Sequence, residues 1–179
     1  MYAALSFHAR VTMLSQLQLL LTHPAPLLWP LVFWLLSRLC RRMTRLSILF
    51  ALPGTVLHEA AHWCVGLLLG AQPRQWTVIP QIQQQHIRLG QVSFARLRWW
   101  NALPVGLAPL MLLPIGVWLV LSAGQGALLH PLTIARGYLA LQCCAGCCPS
   151  RTDLAHAGRS ALAYALFGAG IWCLARLLA

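Results

Sequence analysis

Long apolar runs alternate with short polar breaks along this chain. Leu27 to Cys40 is apolar and closes on Arg38, Arg41, Arg42 and Arg45. Leu46 to Gly70 is a second run. Residues 71–101 form the one long polar stretch, and apolar character returns over Ala102 to Ala123, about 132–148, and Thr152 to Leu178. A helix rises 1.5 Å per residue, so about 20 apolar residues cross a hydrocarbon core of ~30 Å. The pattern predicts an all-α integral membrane protein with about five transmembrane helices, over 25–40, 46–70, 102–123, 132–148 and 152–178. Trp76 to Ile79 and Gln91 to Ala95 have strand-like composition around the Gln81 to Gln85 tract and Gly90. They predict a short β-like loop touching the membrane. Trp99 and Trp100 suit the interface where the chain re-enters. Val11 to Leu21 is too short to span, so residues 1–24 are read as an N-terminal interfacial segment. No small-x-small cleavage site follows it, so this end is read as uncleaved. The organisation expected is one polytopic domain over 1–179, in a bacterial inner or plasma membrane.

Composition sharpens this picture. Of 179 residues, 59% are hydrophobic and 8% charged, against about a quarter charged in an ordinary soluble domain. That excludes a disordered chain and most soluble classes. The formal net charge of +11 comes from arginine alone. These arginines are spread thinly between apolar segments, with no basic face or nucleic-acid motif, so no nucleic-acid partner is expected. Arginine beside a span meets lipid headgroups and biases orientation. Here Arg38, Arg41, Arg42 and Arg45 oppose Arg74, Arg88, Arg96 and Arg98, which leaves orientation nearly balanced. Glu59 and Asp153 are the only two acids. A carboxylate in a membrane segment is costly, so each calls for a reason.

Glu59 has one in its neighbours. His58-Glu59-Ala60-Ala61-His62 reads HExxH. Residues four apart lie about 40° from each other on a helix, so the two imidazoles share a face and can hold one Zn²⁺. The glutamate beside the first histidine reaches a water at the metal and serves as general base for peptide hydrolysis. In a soluble helix the pattern is often only a polar face. Within an apolar segment three unpaired ionisable groups would each cost roughly a few kcal/mol, and a metal satisfies all three.

A third protein ligand is needed. The extended HExxHxxGxxH pattern fails, because Val65 and Leu68 stand at its Gly and third His positions. A second glutamate does not exist. Asp153, another histidine such as His156, or a cysteine remain. Asp153 lies at a break between two apolar helices, in Pro149-Ser150-Arg151-Thr152-Asp153. Ser150-x-x-Asp153 also has the form of a helix cap with an acid in the first turn. The two roles are compatible, since a cap would hold the carboxylate rigidly.

An HExxH in a transmembrane helix ended by glycine (Gly66, Gly70), followed by Gly90-Gln91-Val92 and then Leu107-Ala108-Pro109-Leu110, resembles the site-2 protease family. The resemblance covers roughly residues 46–160. It implies a membrane-embedded zinc metalloprotease that cuts membrane-protein helices within the bilayer. It implies His58, His62 and Asp153 as zinc ligands, Glu59 as general base, and a membrane-associated β-loop after the motif helix. Pro149-Ser150-x-x-Asp153 stands where that family often carries Asn-Pro-x-Gly.

Other features of the sequence have plainer roles. Cys143-Cys144-Ala145-Gly146-Cys147-Cys148 has spacing for a second metal or redox site, but small residues that let helices approach fit better. Gly66-x-x-x-Gly70 reads as a helix-packing face. Pro53-Gly54 reads either as a tolerated kink or as an unwound turn admitting water to the metal. Two other function classes stand beside the protease: a non-catalytic binder of membrane segments that retains a metal site, and a small metal-handling transporter.

Overall fold

The structure is a computed structural model that describes residues 25–41, 43–77, 81–83, 86–88, 90–123 and 127–178. The interfacial segment expected over 1–24, and residues 78–80, 84–85 and 89 of the expected β-loop, lie outside the described residues. The described chain is mostly helical. In order it forms α1 (Ala25–Cys40), α2 (Thr44–Leu68), β1 (Pro73–Thr77), β2 (Gln81–Gln83), β3 (His86–Arg88), β4 (Gln91–Phe94) and α3 (Ala102–Gly106). A 3-10 turn (Ala108–Met111), α4 (Leu112–Ala123), α5 (Pro131–Gly146) and α6 (Arg151–Leu178) follow. The described residues fall into two compact units, those up to Ala51 with Leu113–Cys144 and those of Leu52–Leu112 with the ones from Ala145 onward.

In the first unit, aromatic rings and small residues join the helices. Phe33, Phe50 and Tyr138 cluster, with Tyr138 edge-on to both phenylalanines at 5.1 and 5.3 Å. Tyr138 Oη and Gln142 Nε2 both donate to the Phe50 carbonyl, at 3.0 and 2.9 Å. That carbonyl lies three residues before Pro53, where the proline ring weakens the helix's own bonds. Gly137 lies against Trp29, whose indole N–H donates to the Leu128 carbonyl at 2.8 Å. A Cβ on Gly116 would sit 3.2 Å from Cys143 Cβ and 3.3 Å from Cys144 Sγ. These cysteines are therefore small packing residues between α4 and α5. All seven cysteines are thiols.

In the second unit, α2 ends in a glycine stop. Gly70 has a φ of 62°, its N–H bonds the Leu67 carbonyl at 3.1 Å, and the Ala71 N–H reaches back to Gly66 at 2.8 Å. This is a Schellman motif, and glycine adopts its left-handed position without steric cost. The expected Gly66-x-x-x-Gly70 packing face is corrected accordingly. Gly70 terminates the helix, and Gly66 makes room for the Phe94 ring of β4. The β-loop is present as two antiparallel pairs, β1 with β4 and β2 with β3. Gln75 faces Ser93, Trp76 faces Val92 and Thr77 faces Gln91, with a bulge between Pro73 and Gln75.

The β1–β4 ribbon lies along one stripe of α2. Trp63 stacks near Trp76 with centroids 5.9 Å apart. Gly66 meets Phe94, and Thr55 and Glu59 meet Gly90. Fully buried Asn101 fixes the end of the ribbon. Its Oδ1 accepts the Arg98 N–H at 2.6 Å, and its Nδ2 donates to the carbonyls of Arg96 and Leu69.

The span expected over 102–123 is not one helix. It divides into α3, the 3-10 turn and α4. Pro109 is the physical reason: it has no N–H for the α-helical bond to Val105, so the chain tightens there. Among the described residues only α6 is both long and apolar enough to cross a membrane by itself. α1 and the run Ala108–Ala123 are apolar but shorter. α6 is also largely uncovered, with Leu162, Leu166, Phe167, Ile171 and Trp172 exposed.

Candidate metal centre

The second unit brings together the residues that the motif and the acid count single out. His58 and His62 lie one turn apart on α2 with rings 4.8 Å apart, and Asp153 lies in the first turn of α6. His58 Nε2 is 3.2 Å from His62 Nε2. His58 Nε2 is 3.3 Å from Asp153 Oδ2, and His62 Nε2 is 3.3 Å from Asp153 Oδ1. Two ligands at 2.0–2.1 Å from a tetrahedral ion stand roughly 3.3–3.4 Å apart. The His58–His62 edge is close to that, each imidazole meets its own carboxylate oxygen, and with one atom from each residue the three lie within 4.8 Å of one another, so the group is able to hold a metal ion.

The backbone prepares both imidazoles for this role. His58 Nδ1 bonds the Gly146 carbonyl and His62 Nδ1 bonds the Val105 carbonyl, each at 2.8 Å. A carbonyl only accepts, so each Nδ1 carries the proton, and the neutral imidazole then turns its Nε2 lone pair inward. In that neutral form two lone pairs and a carboxylate converge with no donor among them. A cation resolves that arrangement, and anchoring the outer nitrogen is how metal-binding histidines are oriented.

Prolines leave both carbonyls available. Val105 would receive its α-helical bond from Pro109 and Gly146 a 3-10 bond from Pro149, and neither proline has an N–H. The α-helical donor for Gly146 would be the Ser150 N–H, which bonds Asp153 Oδ2 at 2.7 Å instead. Asp153 N–H in turn donates to Ser150 Oγ at 3.2 Å. This is a reciprocal capping box at the start of α6. Asp153 is thus cap and metal-facing carboxylate at once.

Glycine brings the carbonyls close. A Cβ on Gly106, beside Val105, would stand 2.6 Å from the Asp153 carbonyl oxygen and 3.2 Å from Ala157 Cβ. A Cβ on Gly146 would stand 2.7 Å from the Gly54 carbonyl oxygen. α2 runs unbroken through Pro53-Gly54, so the unwound turn weighed there is absent. Gly54 instead provides close approach to Gly146.

Glu59, the candidate base, is 8% exposed and packs under Gly90. His156 is exposed on α6 and is not a member of the metal-holding group. Neither is any cysteine among the described residues, so the Cys143–Cys148 cluster forms no second metal set there.

The sequence carried no direct signal for the carbonyls of Val105 and Gly146, for Gly106 or for Asn101. The prolines at 109 and 149 were the available clue to the carbonyls. No protein-family model matches the chain, nor does any curated protein or solved structure.

Proposed function

We propose that this chain is a zinc-dependent intramembrane endopeptidase of the site-2 protease kind. It crosses a membrane several times and hydrolyses peptide bonds in transmembrane segments of other membrane proteins. The observation that carries this reading is the convergence of His58 Nε2, His62 Nε2 and Asp153 beside a buried Glu59. Two imidazoles and one carboxylate are a donor set that suits Zn²⁺ and leaves a fourth position open to water. Zinc bound there supplies Lewis acidity, acidifying water and polarising a substrate carbonyl.

The chain's own groups do the rest. The Gly146 and Val105 carbonyls accept the Nδ1 protons of His58 and His62, so each imidazole in its neutral form offers Nε2 to the metal. Asp153 supplies the negative charge and is held by the Ser150 cap. The Glu59 carboxylate takes a proton from the attacking water and delivers it to the departing amine nitrogen, as a general base and then acid. Support for membrane residence comes from exposed apolar side chains on α1, α4 and α6 together with α6's length. Apolar surface on this scale belongs in lipid or in an interface.

The test is cleavage in proteoliposomes of a model membrane protein whose single transmembrane helix carries a Gly-Pro destabilised centre. The parent should cut it and Glu59→Gln should lose about 10²–10⁴-fold in rate. Cleavage by Glu59→Gln at the parent rate would overturn the proposal, and a zinc-loaded parent that never cuts would favour a non-catalytic metal protein.

A further inference from the structure

The geometry points to Gly90 as a positioning residue for Glu59: the backbone of the β-loop is the wall that sets the carboxylate's place. The inference rests on reading Glu59 as the base. A Cβ built on Gly90 would lie 2.8 Å from both Cγ and Oε1 of Glu59 and 2.9 Å from Thr55 Cγ2. Carbon–carbon contacts settle near 3.5–4.0 Å. Even a methyl group at position 90 therefore demands that something move.

Neither backbone moves readily. β4 begins at Gln91, directly after Gly90, and is paired to β1 from Thr77 to Pro73. Phe94 is seated on Gly66, one stripe further along the same helix. Asn101 ties the chain beyond the ribbon to the Leu69 carbonyl at the end of α2. The contact at Gly90 is thus one of several along α2, and the others hold the ribbon at fixed height. The atoms met are on the Glu59 side chain, which has three rotatable bonds and carries the reacting atom. A side chain at position 90 rotates Glu59 off its station while His58, His62 and Asp153 stay in place. The three atoms nearest a Cβ at position 90 belong to Glu59 and Thr55 rather than to His58, His62 or Asp153, so Gly90 positions the base without forming part of the metal set.

This separates two readouts. Zinc content reports the ligands, and a probe that bonds to both metal and base reports Glu59. Acetohydroxamate is such a probe, because its hydroxyl donates to a carboxylate beside the metal. The experiment measures zinc per chain and acetohydroxamate affinity, in detergent, for the parent, Gly90→Ala, Glu59→Gln and the double variant. Gly90→Ala should keep its zinc, which also shows that it folds, and should bind the hydroxamate at least 10-fold more weakly. In the Glu59→Gln background the same change should cost under 2-fold, since the interaction is already gone. Cleavage by Gly90→Ala should fall in kcat with KM little changed. Equal losses in both backgrounds, or parent affinity in Gly90→Ala, would overturn the role of Gly90. If Gly90→Ala loses zinc, the residue serves the metal site as a whole and the inference is wrong. A parent that binds zinc and hydroxamate but cuts nothing removes the protease reading and leaves the positioning of Glu59 decided by the affinity cycle. A parent without zinc removes both.

Discussion

Ser150 and Asp153 exchange two hydrogen bonds across the first turn of α6, the Ser150 N–H to Asp153 Oδ2 at 2.7 Å and the Asp153 N–H to Ser150 Oγ at 3.2 Å. The same carboxylate lies 3.3 Å from the Nε2 atoms of His58 and His62. Helix capping and metal binding therefore draw on one side chain. Ser150→Ala removes one of the two bonds and leaves the other. It should cost about 1 kcal/mol of stability and, because the Ser150 N–H that holds the carboxylate is kept, change zinc affinity by under about 3-fold. Thermal unfolding in detergent and competition with a zinc chelator measure the two effects. A loss of about 10-fold or more in zinc affinity would contradict this and make the Ser150 hydroxyl the group that sets the carboxylate's place.

Gly106 controls how closely α3 approaches α6. Its missing Cβ would stand 2.6 Å from the Asp153 carbonyl oxygen, so Gly106→Ala must push the two helices apart. The expected cost is about 1–3 kcal/mol, the range for overpacking a filled contact. Because Val105 anchors His62 from the same short helix, zinc affinity should fall with stability. A stable Gly106→Ala protein with parent zinc affinity would contradict this packing.

The motif half of the site was legible because it is local. His58, Glu59 and His62 occupy one helical turn, and turn geometry follows from spacing alone. Asp153 was legible by subtraction, since the chain holds only one other acid. The anchors were not legible, because Val105 and Gly146 act through carbonyls that every residue possesses. Their selection depends on which backbone lies near each imidazole, a long-range fact separated by 43 and 88 positions. The helix pattern gave α1, α2, α5 and α6 within a few residues. It ran the chain straight through Pro109, because apolar composition continues there while the backbone bonding does not. The Gly66-x-x-x-Gly70 spacing misled for a related reason: a glycine that ends a helix and one that admits a ring look alike in sequence.

The prolines give a further prediction. Pro109→Ala restores an N–H that competes with His62 Nδ1 for the Val105 carbonyl. The imidazole then loses part of its orientation, and zinc affinity should drop by about 10-fold, the lower end for a disrupted outer contact. The same affinity measurement on Pro114→Ala, which precedes no histidine anchor, is the control. Equal losses in both would trace the effect to general helix disturbance.

Zinc per chain, measured by elemental analysis of purified protein, tests the central claim most directly. The parent should hold about one zinc. His58→Ala, His62→Ala and Asp153→Asn should hold almost none, and Glu59→Gln should hold as much as the parent. Asp153→Asn is the sharpest of these, because asparagine can still accept the Ser150 N–H and keep the cap while losing the anionic ligand. Full zinc in Asp153→Asn would contradict a centre made of His58, His62 and Asp153.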